Sequence, residues 1–182
     1  MSISALQKLT PFFEHSILVN SVIDTPKAVS FKLKFDEHLG LFRVHKGMPL
    51  GFVFPFNFGY IPATRGEDGD ALDVLVLSEH AFPVGTVALG KLIAVLEAVQ
   101  IEGRLKQRND RLIALPVEMV SRNPIQPTIE FNAVLKKSIT GFFIKYNDLQ
   151  GRTFRPLRYA SAREAVRLVR KAHVAWQTDL GS

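Results

Sequence analysis

The stretch from residue 51 to 77, GFVFPFNFGYIPATRGEDGDALDVLVL, constrains this chain more than any other. An aromatic, proline-punctuated approach leads to a short acidic turn, Glu67 to Asp73, which runs directly into Val74-Leu75-Val76-Leu77. A short apolar run rich in Val and bounded by turn residues reads as a strand. Gly66 and Gly69 suit a turn that visits positive φ. Asp68, Asp70 and Asp73 then fall within six residues beside a rigid strand. Like charges so close raise one another's pKa unless a cation compensates. Hard divalent ions take such carboxylates together with water and phosphate oxygens. A solvated acidic turn is the plainer reading, since surface turns are rich in Asp. The third Asp and the abutting strand set this turn apart. An EF-hand is excluded, because its ligand spacing and closing Glu are missing.

These residues carry a resemblance. F-P-F-N-F-G-Y-I-P followed by D-G-D-A-L-D-V resembles the signature of the soluble family I inorganic pyrophosphatases, in which Y-P-x-N-Y-G-(Y/F)-I-P leads into D-x-D-P-x-D-V. In weaker form the resemblance runs from about Phe31 to Trp176, most of the chain. It implies a small closed β-barrel, OB-like, with helices packed outside, and Mg²⁺-dependent hydrolysis of inorganic pyrophosphate; Mn²⁺ or Zn²⁺ are further candidates. It also implies a homo-oligomer, commonly a hexamer among bacterial members. In the family the three motif aspartates, matched here by Asp68, Asp70 and Asp73, bind Mg²⁺ and help activate the attacking water. Asp70 matches the one treated as general base. Lys46 falls where the family has a phosphate-binding Arg, so the charge survives without the bidentate fork. Arg111 falls where a substrate-binding Lys is expected. Tyr146 matches the Tyr of a late Y-K pair that contacts product phosphate.

The same comparison marks departures. Asn109 stands where a fourth metal-binding Asp is expected and Gln100 near a fifth, with Glu102 and Asp110 as stand-in ligands. Asn147 replaces the Lys of the Y-K pair, and Phe54 and Phe58 replace two Tyr. Lys32 occupies the approximate position of a strand Glu, and Ser30 that of a Lys. An earlier Glu on the first strand has no counterpart between Asn20 and Val22. An amide in place of a carboxylate keeps an oxygen ligand and loses the charge that strengthens it for Mg²⁺. Reduced activity or an altered metal demand is therefore expected.

The rest of the chain reads as α+β. Residues 3–14 suggest a short amphipathic helix broken at Pro11, in a peripheral segment spanning 1–15 of one domain, 1–182. Residues 16–23 and Ala28–Phe35 read as strands, the second with Lys32 and Lys34 on its outer face. Leu41–His45 returns as a hairpin, Val87–Val99 and Leu112–Val117 are strands, and Gln100–Arg111 is a polar hairpin tip. Ser121–Pro127 is turn-rich. Helical spacing fills about Thr128–Gln150, Gly151–Tyr159 suits a short strand, and Ser161 with Glu164 opens a last helix.

The formal charge is +6 in 182 residues, which favours an anionic partner such as a phosphate compound. Carboxylates for cations inside a basic chain suit a metal and polyphosphate site. Zero cysteines exclude disulfide and thiol chemistry and fit a cytoplasmic protein. No apolar stretch reaches membrane-span length, and the first residues do not form a convincing signal peptide. Beside the pyrophosphatase reading stand two others. One is a catalytically weakened relative that binds a phosphate compound or metal. The other is a basic β-barrel that binds nucleic acid, which leaves the three clustered aspartates without a role.

Overall fold

The apolar run behind the acidic turn becomes an inner strand. The computed structural model describes residues 5–36, 38–117 and 129–180. Its strands are β1 (Val19–Thr25), β2 (Phe31–Asp36), β3 (Leu41–Gly47), β4 (Asn57–Tyr60), β5 (Asp73–Val76), β6 (Val87–Glu102), β7 (Leu105–Arg108), β8 (Arg111–Pro116) and β9 (Thr153–Ser161). Helix α1 (Ala133–Asp148) precedes β9, and α2 (Ala162–Leu180) follows it.

Strand pairing forms a ring. β1 pairs antiparallel with β4, β4 with β5, β5 runs parallel to β8, β8 pairs antiparallel with β6, and β6 returns to β1. At 16 residues, β6 is long enough to serve more than the ring. It also carries β7 and β9, and register shifts at Leu92/Ala94 and Glu97/Ala98 let it bend as it does so. β2 and β3 form a separate hairpin beside β1.

Alternation along β5 explains the two cores. Val74 and Val76 join one cluster with Val19, Ile23, Leu112 and the α2 residues Ala165, Val169 and Ala172. Leu75 and Leu77 face the other way, into a cluster with Phe54, Phe58, Ile113 and the α1 residues Ile139 and Phe143. The strand is thus apolar throughout because both faces are covered, and the helices lie on opposite faces of it. Asn132 caps α1, its Oδ1 accepting from Leu135 N at 3.1 Å, which is why the helix starts at Ala133 and not near residue 128. Ser161 Oγ accepts from Glu164 N at 3.3 Å at the head of α2, as the capping pattern predicts.

Two residues of the aromatic motif build the frame. Asn57 is fully buried and satisfied on both sides. Its Oδ1 accepts from Lys27 N and Phe82 N at 3.1 and 2.9 Å, and its Nδ2 donates to His80 O at 2.9 Å. It ties the β1–β2 and β5–β6 loops to the start of β4. Gly59 lets β1 cross closely, since a Cβ there would lie 1.9 Å from Val22 O.

Several expectations shift. The N-terminal helix is only a 3₁₀ turn, Ala5–Lys8, and β1 starts at Val19 because Ser16 closes a turn onto Phe13 O. β4 lies inside what reads from sequence as an irregular approach. β9 is nine residues long because it pairs along β6 from Ala94 to Ile101. The turn-rich Ser121–Pro127 lies outside the described residues. Among the described residues, no helix is long and apolar enough to cross a membrane.

Candidate active site

The acidic turn is the loop between β4 and β5, and it is fastened from behind. Arg65 N donates to Ala172 O of α2 at 2.9 Å, and His173 Nδ1 donates to Ala63 O at 2.7 Å. The Arg65 guanidinium pairs with Asp179 and donates to Gly69 O at 2.9 Å. Within the turn, Gly66 N donates to Asp70 O at 2.7 Å, and Asp68 Oδ1 accepts from Asp70 N at 3.2 Å. Gly69 has φ +84°, as its position predicts. Gly66 is not in that region; a Cβ there would meet Asp68 Oδ1 at 2.9 Å. The turn therefore presents its carboxylates from a braced frame.

Each carboxylate has a different neighbour. Asp73 Oδ2 lies 2.6 Å from Arg111 Nη1. Asp70 Oδ1 accepts from Lys34 Nζ at 2.8 Å. Desolvation raises the Asp68 carboxyl above its ordinary value; the Asp70 N–H opposes this, and the charges of Asp73 and Asp70 reinforce it.

Arg111 is the centre of the opposite wall. It is 4% exposed, and its guanidinium carbon lies 5.1 Å from the Phe143 ring centroid and 5.9 Å from those of Phe58 and Phe154. Its Nη1 also donates to Asn109 Oδ1, while its Nε is buried with no partner among the described residues. Asn109 Nδ2 in turn donates to Gln100 Oε1 at 2.9 Å. The two positions expected to be acidic are thus a bonded pair of amides.

Two further residues enter the site: Lys32, expected on the outer face of its strand, and Asp24, to which the sequence assigned no role. Lys32 Nζ stands 4.8 Å over the Phe58 ring. Burial works against its charge, but Asp73 and Asp24 outweigh burial and hold the ammonium above its ordinary value. Asp24, buried on β1, supplies a first-strand carboxylate just beyond the Asn20–Val22 window. Burial raises its pKa to about 7 against the pull of Lys32, with its Oδ1 accepting from Thr25 Oγ1 at 2.6 Å. The residue pair I-D before Thr25-Pro26 is the only sequence signal that could have found it.

The remaining candidates spread out. Lys46, exposed on β3, sits opposite Lys32 in the hairpin register. Tyr146 packs its ring 5.4 Å from Phe54 and 5.8 Å from Phe142. Asp110 turns away, accepting from Ala98 N and from Arg108 Nη2, each at 2.9 Å. Glu102 pairs with Arg152 at 2.8 Å. Both stand-in carboxylates are therefore engaged by arginines. A cavity of about 270 Å³ opens on the α2 side of the turn, lined by Asp68, Asp73 and Asn109 together with Lys171 and Ala172.

The arrangement sets oxygen donors on one wall and buried or ring-stacked cations on the other. The family model described as inorganic pyrophosphatase matches residues 21–177, which takes in the acidic turn, Arg111, Lys32 and Asp24. The chain belongs to the inorganic pyrophosphatase family. An inorganic pyrophosphatase from Aeropyrum pernix is 31% identical over 170 residues, covering 91% of this chain and 93% of its own. The one from Neisseria meningitidis serogroup B is 27% identical over 172 residues, covering 93% and 95%. Among solved structures, an inorganic pyrophosphatase from Neisseria gonorrhoeae superposes with a TM-score of 0.81 at 27% identity, over 94% of this chain and 98% of that one. The pyrophosphatase resemblance seen in the two linked motifs is borne out, as is an α+β chain with two helices, whose sheet is mixed.

Proposed function

We propose that this chain hydrolyses inorganic pyrophosphate to two phosphates with the help of a divalent cation. The juxtaposition of Asp73 with the buried Arg111 carries the reading, because it sets a carboxylate of the acidic turn directly against an anion-binding guanidinium. Family membership points the same way, and neither a binding-only role nor nucleic-acid binding is favoured. The donor set fits the cation: Asp68, Asp70 and Asp73 offer oxygen atoms alone, which suit Mg²⁺ or Mn²⁺ before Zn²⁺. Among the described residues these carboxylates are not gathered into a ready cage, since Lys34 and Arg111 engage two of them. A bound cation supplies charge neutralisation and a more acidic water.

The chain's own groups do the rest. Asp70, exposed at the mouth, accepts the proton of the attacking water. Arg111 holds the leaving phosphate through N–H groups that its aromatic box keeps poorly hydrated, where charge stabilisation is strongest. Lys32 adds a second fixed positive charge, Lys46 a third at the rim, and Tyr146 a hydroxyl. Asn109 keeps an oxygen directed at Arg111 and serves as a neutral ligand, whereas Glu102 and Asp110 stay with Arg152 and Arg108. The reading includes one domain over 1–182, a cytoplasmic location, a homo-oligomer and a closed OB-like barrel, the last supported by the ring of strand pairings.

Phosphate release from pyrophosphate, measured with Mg²⁺, Mn²⁺ and Zn²⁺ beside an Asp70→Asn variant, tests it. Metal-dependent release that falls by about 100-fold or more in the variant is expected. Equal rates in the two proteins would overturn the assignment.

A further inference from the structure

Lys32 and Lys34 leave β2 on the same face, two residues apart, and both act on Asp24 and His45. Lys32 reaches inward to Phe58, whereas Lys34 reaches the mouth and donates to Asp70 Oδ1 at 2.8 Å. One oxygen of the carboxylate assigned as general base thus already has a monovalent counter-ion built into the chain. The far wall adds no carboxylate to compete for it, because Gln100 and Asn109 are amides bonded to each other. Positive charge at this site is therefore supplied in part by the protein itself.

We propose that Lys34 is a positioning residue that couples cation binding to anion binding, an inference that rests on the pyrophosphatase reading above. Lys34 holds Asp70 while the site is free. A divalent cation that takes Asp70 must displace it, and the released ammonium then turns to phosphate oxygens beside Lys32. Each ligand thereby favours the other, as linkage requires. The pair is more than half exposed on both sides, and exposed pairs are weak, so the competition is worth about two- to five-fold in cation affinity.

Calorimetric titration of the full chain with Mn²⁺, with and without inorganic phosphate, reads this directly. Lys34→Gln is expected to bind Mn²⁺ about two- to five-fold tighter than the parent without phosphate, and to gain less from added phosphate. Arg43→Gln serves as the control: Arg43 lies opposite Lys34 in register and pairs with Asp36 instead. It removes the same charge one strand away and should leave Mn²⁺ affinity unchanged. Equal or weaker Mn²⁺ binding in the Lys34 variant, or equal tightening in the Arg43 control, overturns the coupling while leaving the pyrophosphatase reading intact. Absence of saturable Mn²⁺ binding in the parent overturns both.

Discussion

Arg111 and Asp73 form an ion pair at 2.6 Å in which the arginine is almost wholly buried and the aspartate about a quarter exposed. Removing the guanidinium strands a partly buried carboxylate, so Arg111→Met should destabilise the fold by about 2 to 3 kcal/mol, below the range for fully buried pairs. Turnover should fall by about 100-fold or more. Arg111→Lys keeps the charge and loses the fork. Its defect should lie mainly in KM, with stability closer to the parent. Urea denaturation and steady-state phosphate release separate the two effects; a Lys variant as inactive as Met would remove the distinction between charge and fork.

Asp24 predicts a pH dependence. Burial raises its folded pKa from 3.8 to about 7, and Lys32 and Thr25 offset only part of that. The folded state then holds a proton more tightly than the unfolded state. The stability this contributes is complete below the unfolded value and is lost as pH rises through about 7. Asp24→Asn removes the term. Its melting temperature relative to the parent should therefore rise from pH 5 to pH 8, and a constant offset across that range would refute the assignment.

Much of this was legible because local pattern and tertiary role agree. The acidic turn announces itself by spacing, α2 by its capping residues, and β2 by alternation. β4 was hidden because Asn57 and Gly59 look like loop residues, while their reasons for being there are a hydrogen-bond junction with two loops and a close strand crossing. Asp24 was missed and Lys32 was placed on an outer face for a related cause. Their burial arises where β2 packs beside β1, which no periodicity records. Asp110 and Glu102 looked available because sequence cannot show which way a carboxylate turns, and each turns to an arginine.

Gly59 offers the sharpest test of the frame. A methyl group there would collide with the Val22 carbonyl, an atom that cannot move without breaking the β1–β4 pairing. Gly59→Ala should lower stability by about 2 kcal/mol or more, as over-packing does. Asp73 pairs with Tyr60 in the β4–β5 register, so turnover should fall as well. A variant with parent-like melting temperature would show that β1 tolerates displacement.

Asn109 decides how far the amide wall limits cation binding. Its Nδ2 donates to Gln100 and its Oδ1 accepts from Arg111. In Asn109→Asp the acceptor toward Arg111 remains, the donor toward Gln100 disappears, and a negative charge is added. Loss of the donor should cost about 1 kcal/mol, visible in urea denaturation. The added carboxylate should lower the Mg²⁺ concentration for half-maximal phosphate release by about threefold or more, because charged oxygens bind Mg²⁺ more strongly than amide oxygens. If the Mg²⁺ requirement does not move while KM for pyrophosphate rises, Asn109 acts by orienting Arg111 and lies out of reach of the cation. A fall in both quantities would instead place the cation between the acidic turn and the amide pair, with Arg111 still free to hold phosphate.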